Sequence, residues 1–225
     1  YQPCGWRCPG SLLTLLKLSN HVSLFMSHRE DSCLLGIWKM EESFSALCDM
    51  LPDSTLPEQA RQRFTAPHRR LEWLSVRVLL HGLLGEEKEI GYLPSGKPYL
   101  SDGSFHISIS HTKGYVAVIL GDTPVGIDIE QYGRRVHKVA HKYMREDEMA
   151  LPYRGDDTWS LLLHWSAKEV MFKCMDTAEV DFRRHLHIKP FAVQEQGVFY
   201  AQEYRTDRQR HFQIRYLVHP DFVLT

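Results

Sequence analysis

The sequence predicts an α+β protein built as two similar α/β halves, each with a long helix packed on an antiparallel sheet. Three observations carry this prediction. Two stretches, 65–85 and 158–175, keep apolar residues at helical spacing. Each is followed by short runs rich in β-branched and aromatic residues, separated by turn residues, which read as strands. The order helix then strands therefore occurs twice in 225 residues, enough for two halves of roughly 100 residues each. The halves are expected at 22–122 and 123–225, with 1–21 an N-terminal extension outside the fold.

In chain order, "LLGIWKM" (34–40) reads as a strand leading into a short amphipathic helix, "EESFSALCDML", and "LPEQARQRF" (56–64) as a second short helix. The first long helix follows in "TAPHRRLEWLSVRVLLHGLLG", with Thr65 as its cap, Pro67 in its first turn and Gly85 at its end. "IGYLPSGKPYL" is extended, with a turn at Ser95-Gly96. "FHISISHT" alternates, placing Phe105, Ile107 and Ile109 on one face and His106, Ser108 and Ser110 on the other. "YVAVIL" and "VGIDIE" come after short turns, a spacing that predicts an antiparallel meander. A basic helical segment is expected at about 135–150, then a loop at "LPYRGDD" and the second long helix. The tail reads as the strands "KPFAVQEQ", "VFYAQEYR" and "HFQIRYLVH".

Composition is that of an ordinary globular chain, 43% hydrophobic and 24% charged. A formal net charge of −1 supplies no overall field toward nucleic acid or an anionic membrane, so any anion site must be local. Five scattered cysteines do not form a disulfide framework, and Cys4 and Cys8 lack a second Cys/His pair for zinc. No apolar run approaches the ~20 residues that span a bilayer. "SLLTLLKL" is too short and lacks the flanks of a signal peptide, so a cytoplasmic protein is expected, and a monomer because both halves lie on one chain.

"VGIDIE" sets Asp128 and Glu130 two positions apart, on one face of a strand. Two carboxylates so placed repel unless they face water or hold a cation. In "WSAKEVMFK", Trp165, Glu169 and Lys173 share one helix face. By itself that pattern is an exposed Glu-to-Lys pair worth ~0.3–0.5 kcal/mol. Together, Asp128, Glu130 and Glu169 make the all-oxygen set that suits Mg²⁺, with substrate phosphates completing its shell. Ligand types do not separate Mg²⁺ from Mn²⁺. His137 and His141 lack a third ligand and read as surface residues.

A phosphate-bearing substrate calls for cations elsewhere. Arg69 and Arg70 sit in the first turn of a helix, where the macrodipole is already positive. Lys97 lies in "SGKP", where Gly96 permits close backbone approach and Pro98 fixes the turn, and Ser110 and His111 end a strand as donors. Each signal alone also fits a surface turn or strand end.

"GKP", "ISISHT", "VGIDIE" and "WSAKEVMFK", in this order and at these separations, resemble the motif set of the 4′-phosphopantetheinyl transferases. The layout is similar to their larger surfactin-synthetase type, over roughly 22–225. The resemblance implies that fold, with coenzyme A in a cleft between halves and Mg²⁺ on its pyrophosphate. It implies Asp128, Glu130 and Glu169 as metal ligands and Lys97 and Lys173 on the pyrophosphate. Ser110 and His111 would contact the phosphates, and Arg69 or Arg70, between which spacing does not choose, would hold the 3′-phosphate. Gln59 and Gln62 stand where larger members often carry lysines, with Arg61 and Arg63 as substitutes.

The implied reaction moves 4′-phosphopantetheine from coenzyme A to a serine of an apo acyl or peptidyl carrier protein, releasing 3′,5′-ADP, with Glu169 as base. Carriers of this class are acidic, and "GRRVHKVAHKYMR" offers Arg134, Arg135, Lys138, Lys142 and Arg145 as a docking surface, with Val139 and Met144 as apolar contacts. A solvated helix face explains that run equally well. The alternatives are a non-catalytic coenzyme A-binding scaffold, which needs none of these carboxylates, and a nuclease, which the neutral charge disfavours.

Overall fold

The computed structural model describes residues 23–30 and 32–225; the expected extension at 1–21 lies outside them. The chain divides into two compact units between Val125 and Gly126.

The N-terminal unit runs β1 (Leu24–Glu30), β2 (Cys33–Lys39), α1 (Phe44–Asp49), α2 (Leu56–Arg63), α3 (Pro67–Leu84), β3 (Ile90–Tyr92), β4 (Pro98–Leu100), β5 (His106–Thr112) and β6 (Tyr115–Gly121). Its main sheet is antiparallel in the order β1-β2-β6-β5, and β3 pairs with β4 around the Ser95-Gly96 turn. Helix α3 lies on β2 and β6, burying Leu74, Val78 and Leu79 with Trp38, Val116 and Val118. The approach is close: a Cβ on Gly36 of β2 would sit 2.8 Å from Leu79 Cδ1. Gly85 ends α3 at φ +74°, as predicted. Thr65 does not cap it, because the helix begins one residue later, with Ala66 at the cap position and no side-chain cap bond. Strand β1, a mixed polar edge segment, was not anticipated.

The C-terminal unit runs β7 (Ile129–Gln131), α4 (Arg135–Tyr143), α5 (Thr158–Cys174), α6 (Phe182–His185), β8 (Leu186–Ile188), β9 (Gln196–Glu203), β10 (His211–His219) and β11 (Phe222–Leu224). Its antiparallel sheet has the order β7-β11-β10-β9-β8, and α5 packs on β11, β10 and β8. Lys168 and Glu148, both with fully buried side chains, pair at 2.7 Å, and Lys168 also donates to the carbonyl of Tyr143 at 2.6 Å. The bond to Tyr143 ties α5 to the end of α4.

Three expectations change here. "VGIDIE" does not continue a meander from β6: only Ile129–Gln131 is strand, and it pairs with β11 of the other sheet. "KPFAVQEQ" is not a strand before Gln196, and α4 stops at Tyr143 rather than near 150. Strand β11 and the α6–β8 segment, three or four residues each, are too short to carry a period. Mixed helix and antiparallel sheet in each unit accords with the predicted α+β class. Among the described residues, no helix is long and apolar enough to cross a membrane.

Candidate functional site

The acidic site of the C-terminal unit starts from a glycine. A Cβ on Gly126 would meet Cys174 Sγ and the carbonyl oxygen of Val170, each at 2.9 Å, so only a residue without a side chain lets this segment lie against α5. Two residues on, Asp128 exchanges both backbone hydrogen bonds with Thr225 at 2.9 Å. Ser166 of α5 binds the Thr225 hydroxyl at 2.7 Å. Strand end, chain end and helix are thus stitched at Asp128, which is 4% exposed.

Against it stands the α5 face picked out by spacing. Lys173 Nζ donates to Asp128 Oδ1 at 2.9 Å and to the Ile127 carbonyl at 2.8 Å. Trp165 Nε1 donates to Glu130 Oε1 at 2.9 Å. Burial, then the charges of Asp128 and Glu169, push the Glu130 carboxyl up to about 7, against the opposing pull of Trp165 and Lys173. Burial and the Asp128 charge also raise Glu169, offset in part by Lys173. Asp128, Glu130, Glu169, Lys173 and Trp165 therefore share one electrostatic neighbourhood, answering the question raised by paired carboxylates on one strand face. They face a helix rather than water.

The carboxylates of that set offer only oxygen and outnumber its one cation, and burial penalises the ionisation of Glu130 and Glu169. The set fits a hard divalent cation. The three carboxylates do not close to within 4.8 Å of one another; among the described residues, His137, Asp156 and Asp157 do. This second group is largely exposed, and its members are bonded to local partners: Asp156 to the Tyr132 hydroxyl and the Thr158 amide, His137 to the Thr158 hydroxyl.

In the N-terminal unit, a cavity of about 270 Å³ is lined by Arg63, Arg69, Trp73, Arg77, Tyr92 and His111, among others. Arg69 reaches His111 Nε2 at 2.9 Å and Glu72 at 2.7 Å. Arg70 instead gives its Nε to the Phe64 carbonyl at 2.7 Å and is absent from the cavity wall. Pro98 and Gly96 line the cavity, whereas Lys97 and Ser110 do not, and Ser110 is 8% exposed.

Arg77 was missed by sequence reasoning. It is 9% exposed, lies 3.2 Å over the Trp73 ring and donates to the Trp73 carbonyl at 3.0 Å. Burial lowers its guanidinium to about 10. The available signal was a lone arginine inside the apolar run "LSVRVLL". Phe64 and Tyr92 carry no comparable signal, since aromatic residues at such spacing usually mean core.

Arg134, just before α4, and Arg135, Lys138 and Lys142 on it are exposed. Arg145 is not available with them, because it is held by Asp147 at 2.8 Å and the Arg184 carbonyl at 3.0 Å. Val139 and Met144 pack against the core, while Met149 is the exposed apolar side chain further along.

Residues 124–225, the part of the chain that carries all three carboxylates, match the family model described as the 4′-phosphopantetheinyl transferase superfamily. No curated protein matches the chain.

Proposed function

We propose, from the match of residues 124–225 to that superfamily's model, that the protein transfers 4′-phosphopantetheine from coenzyme A to a serine hydroxyl of an apo acyl or peptidyl carrier protein. The observation that carries this reading is that Lys173 pairs with Asp128 inside the matched region, where the charges of Asp128, Glu169 and Lys173 also act on Glu130. In the reaction, the serine oxygen forms a bond to the β-phosphorus of coenzyme A, the bond from that phosphorus to 3′,5′-ADP breaks, and the serine proton is lost.

Asp128, Glu130 and Glu169 are assigned as the ligands of Mg²⁺ or Mn²⁺, and the bound ion would neutralise charge on the diphosphate. Lys173, already held against Asp128, adds a positive charge for the phosphate oxygens. Glu169 is the base that accepts the serine proton, and the upward push of burial and Asp128 on its carboxyl makes it a better acceptor than a solvent-exposed glutamate. Arg69 and His111, with Arg77 beside them in the same cavity wall, are assigned to the 3′-phosphate and nucleoside of coenzyme A. Arg70 takes the lesser part, and Lys97 and Ser110 are assigned to the phosphates from the motif alone. Residues 132–144 contain six basic or histidine side chains on and before α4 (Arg134, Arg135, His137, Lys138, His141, Lys142) and no acid, which supports docking of an acidic carrier.

The test is incubation with coenzyme A, Mg²⁺ and an apo carrier, with the added phosphopantetheine read by mass. Transfer by the wild type and its loss in Glu169→Gln support the reading. Coenzyme A binding without transfer would make the protein a scaffold, and full activity of Glu169→Gln would overturn the assignment of the site.

A further inference from the structure

Asp128 and Glu130 are held from α5 in different ways. Asp128 meets a cation, Lys173, whereas Glu130 meets a neutral donor, the Trp165 indole N–H. The distinction matters chemically. A lysine against a carboxylate competes with any cation for it, while an indole N–H fixes one oxygen and leaves the charge in place.

The indole is well braced for that task. Its ring meets Tyr143 edge-on at 5.3 Å and Phe182 at 5.6 Å. Tyr143 is itself anchored by its hydroxyl on the Leu161 carbonyl at 3.1 Å and is 0% exposed. On the other side, the Glu130 backbone is set by its ladder partner Val223. A flexible glutamate on a fixed strand therefore has its carboxylate located by one rigid side chain.

We propose that Trp165 is a positioning residue for Glu130, committing Oε1 to the indole so that Oε2 serves as the ligand atom for a divalent cation. This rests on the reading of Asp128, Glu130 and Glu169 as cation ligands and adds a residue to which no role in the site had been given. Removing an outer partner of a ligand typically weakens metal binding about 10–100-fold.

The experiment measures Mn²⁺ binding to the full chain in the presence of coenzyme A, from the loss of the free-ion paramagnetic resonance signal. Trp165→Phe keeps a ring between Tyr143 and Phe182 and removes the N–H. It is expected to bind Mn²⁺ about 10–100-fold more weakly, with a Tm within about 4 °C of wild type. Wild-type affinity in Trp165→Phe overturns the inference and leaves the carboxylate reading standing. Equal Mn²⁺ binding by the wild type and Asp128→Asn overturns that reading and the inference with it. Should Trp165→Phe fail to fold, Mg²⁺ titration of the wild type decides: among the indole N–H resonances of the five tryptophans, that of Trp165 should shift, and its failure to move overturns the proposal.

Discussion

Lys173 Nζ sits 2.9 Å from Asp128 Oδ1, joining α5 to a carboxylate whose side chain is 6% exposed. Breaking a fully buried pair costs about 3–5 kcal/mol. Here the lysine is 28% exposed, so Lys173→Met should lower stability by less, about 1–3 kcal/mol. Adding Asp128→Asn should recover part of that loss in denaturant unfolding without restoring transfer. A double mutant no more stable than Lys173→Met would show that the pair is not what the single change disrupts.

Gly126 makes a packing prediction. Gly126→Ala places a methyl 2.9 Å from both Cys174 Sγ and the Val170 carbonyl, and overpacking of this kind costs about 1–3 kcal/mol. Because Asp128 follows two residues later, transfer should fall more than coenzyme A binding does. Cys174→Ala should rescue the variant only in part, since the Val170 backbone cannot be removed. Complete rescue would locate the clash on the sulfur alone.

The cavity of the N-terminal unit separates the two adjacent arginines. Arg69→Ala should raise the KM for coenzyme A by about 10–100-fold, the loss of one charge-assisted contact. Arg70→Ala should do less, because its Nε is committed to the Phe64 carbonyl. With dephospho-coenzyme A, which lacks the 3′-phosphate, the Arg69 penalty should largely vanish. A penalty equal for both substrates would remove Arg69 from the 3′-phosphate.

Charge reversal on α4 tests the docking surface. Arg135→Glu with Lys138→Glu should raise the carrier KM several-fold and leave the KM for coenzyme A unchanged. The carrier effect should shrink as salt is added, as screening requires. Parallel changes in both constants would mean that these residues do not read the carrier.

His164 predicts a pH dependence of stability. It is 2% exposed, with Nδ1 2.7 Å from the Ser160 carbonyl, and burial first of all lowers its pKa below the ordinary 6.5. Above that value the imidazole is neutral in both folded and unfolded chains. As pH falls below it, the unfolded chain takes up the proton first, so stability is lost until the folded pKa is passed. Thermal unfolding from pH 7 down to 5 should show a falling Tm, and the slope should be shallower in His164→Gln. An unchanged slope would assign the effect to other groups.

Much of this protein is written in local pattern. Helices α3 and α5 could be read because their apolar residues recur within a few positions, a period set by helix geometry. Asp128 with Glu130, and Trp165 with Glu169 and Lys173, were legible for the same reason: two-residue and four-residue spacings put side chains on shared faces. What lay beyond the sequence was pairing across distance. Strand β7 joins β11 over some ninety intervening residues, and three-residue strands hold too few positions to declare a partner. Arg77 could be seen as a charge in an apolar run, but folding alone set it over Trp73 in a cavity wall beside Arg69 and His111. Which of Arg69 and Arg70 lines the cavity depended likewise on which guanidinium met a backbone carbonyl and which met a histidine. Spacing along the chain determines which side chains point together; the folded backbone decides which of them meet.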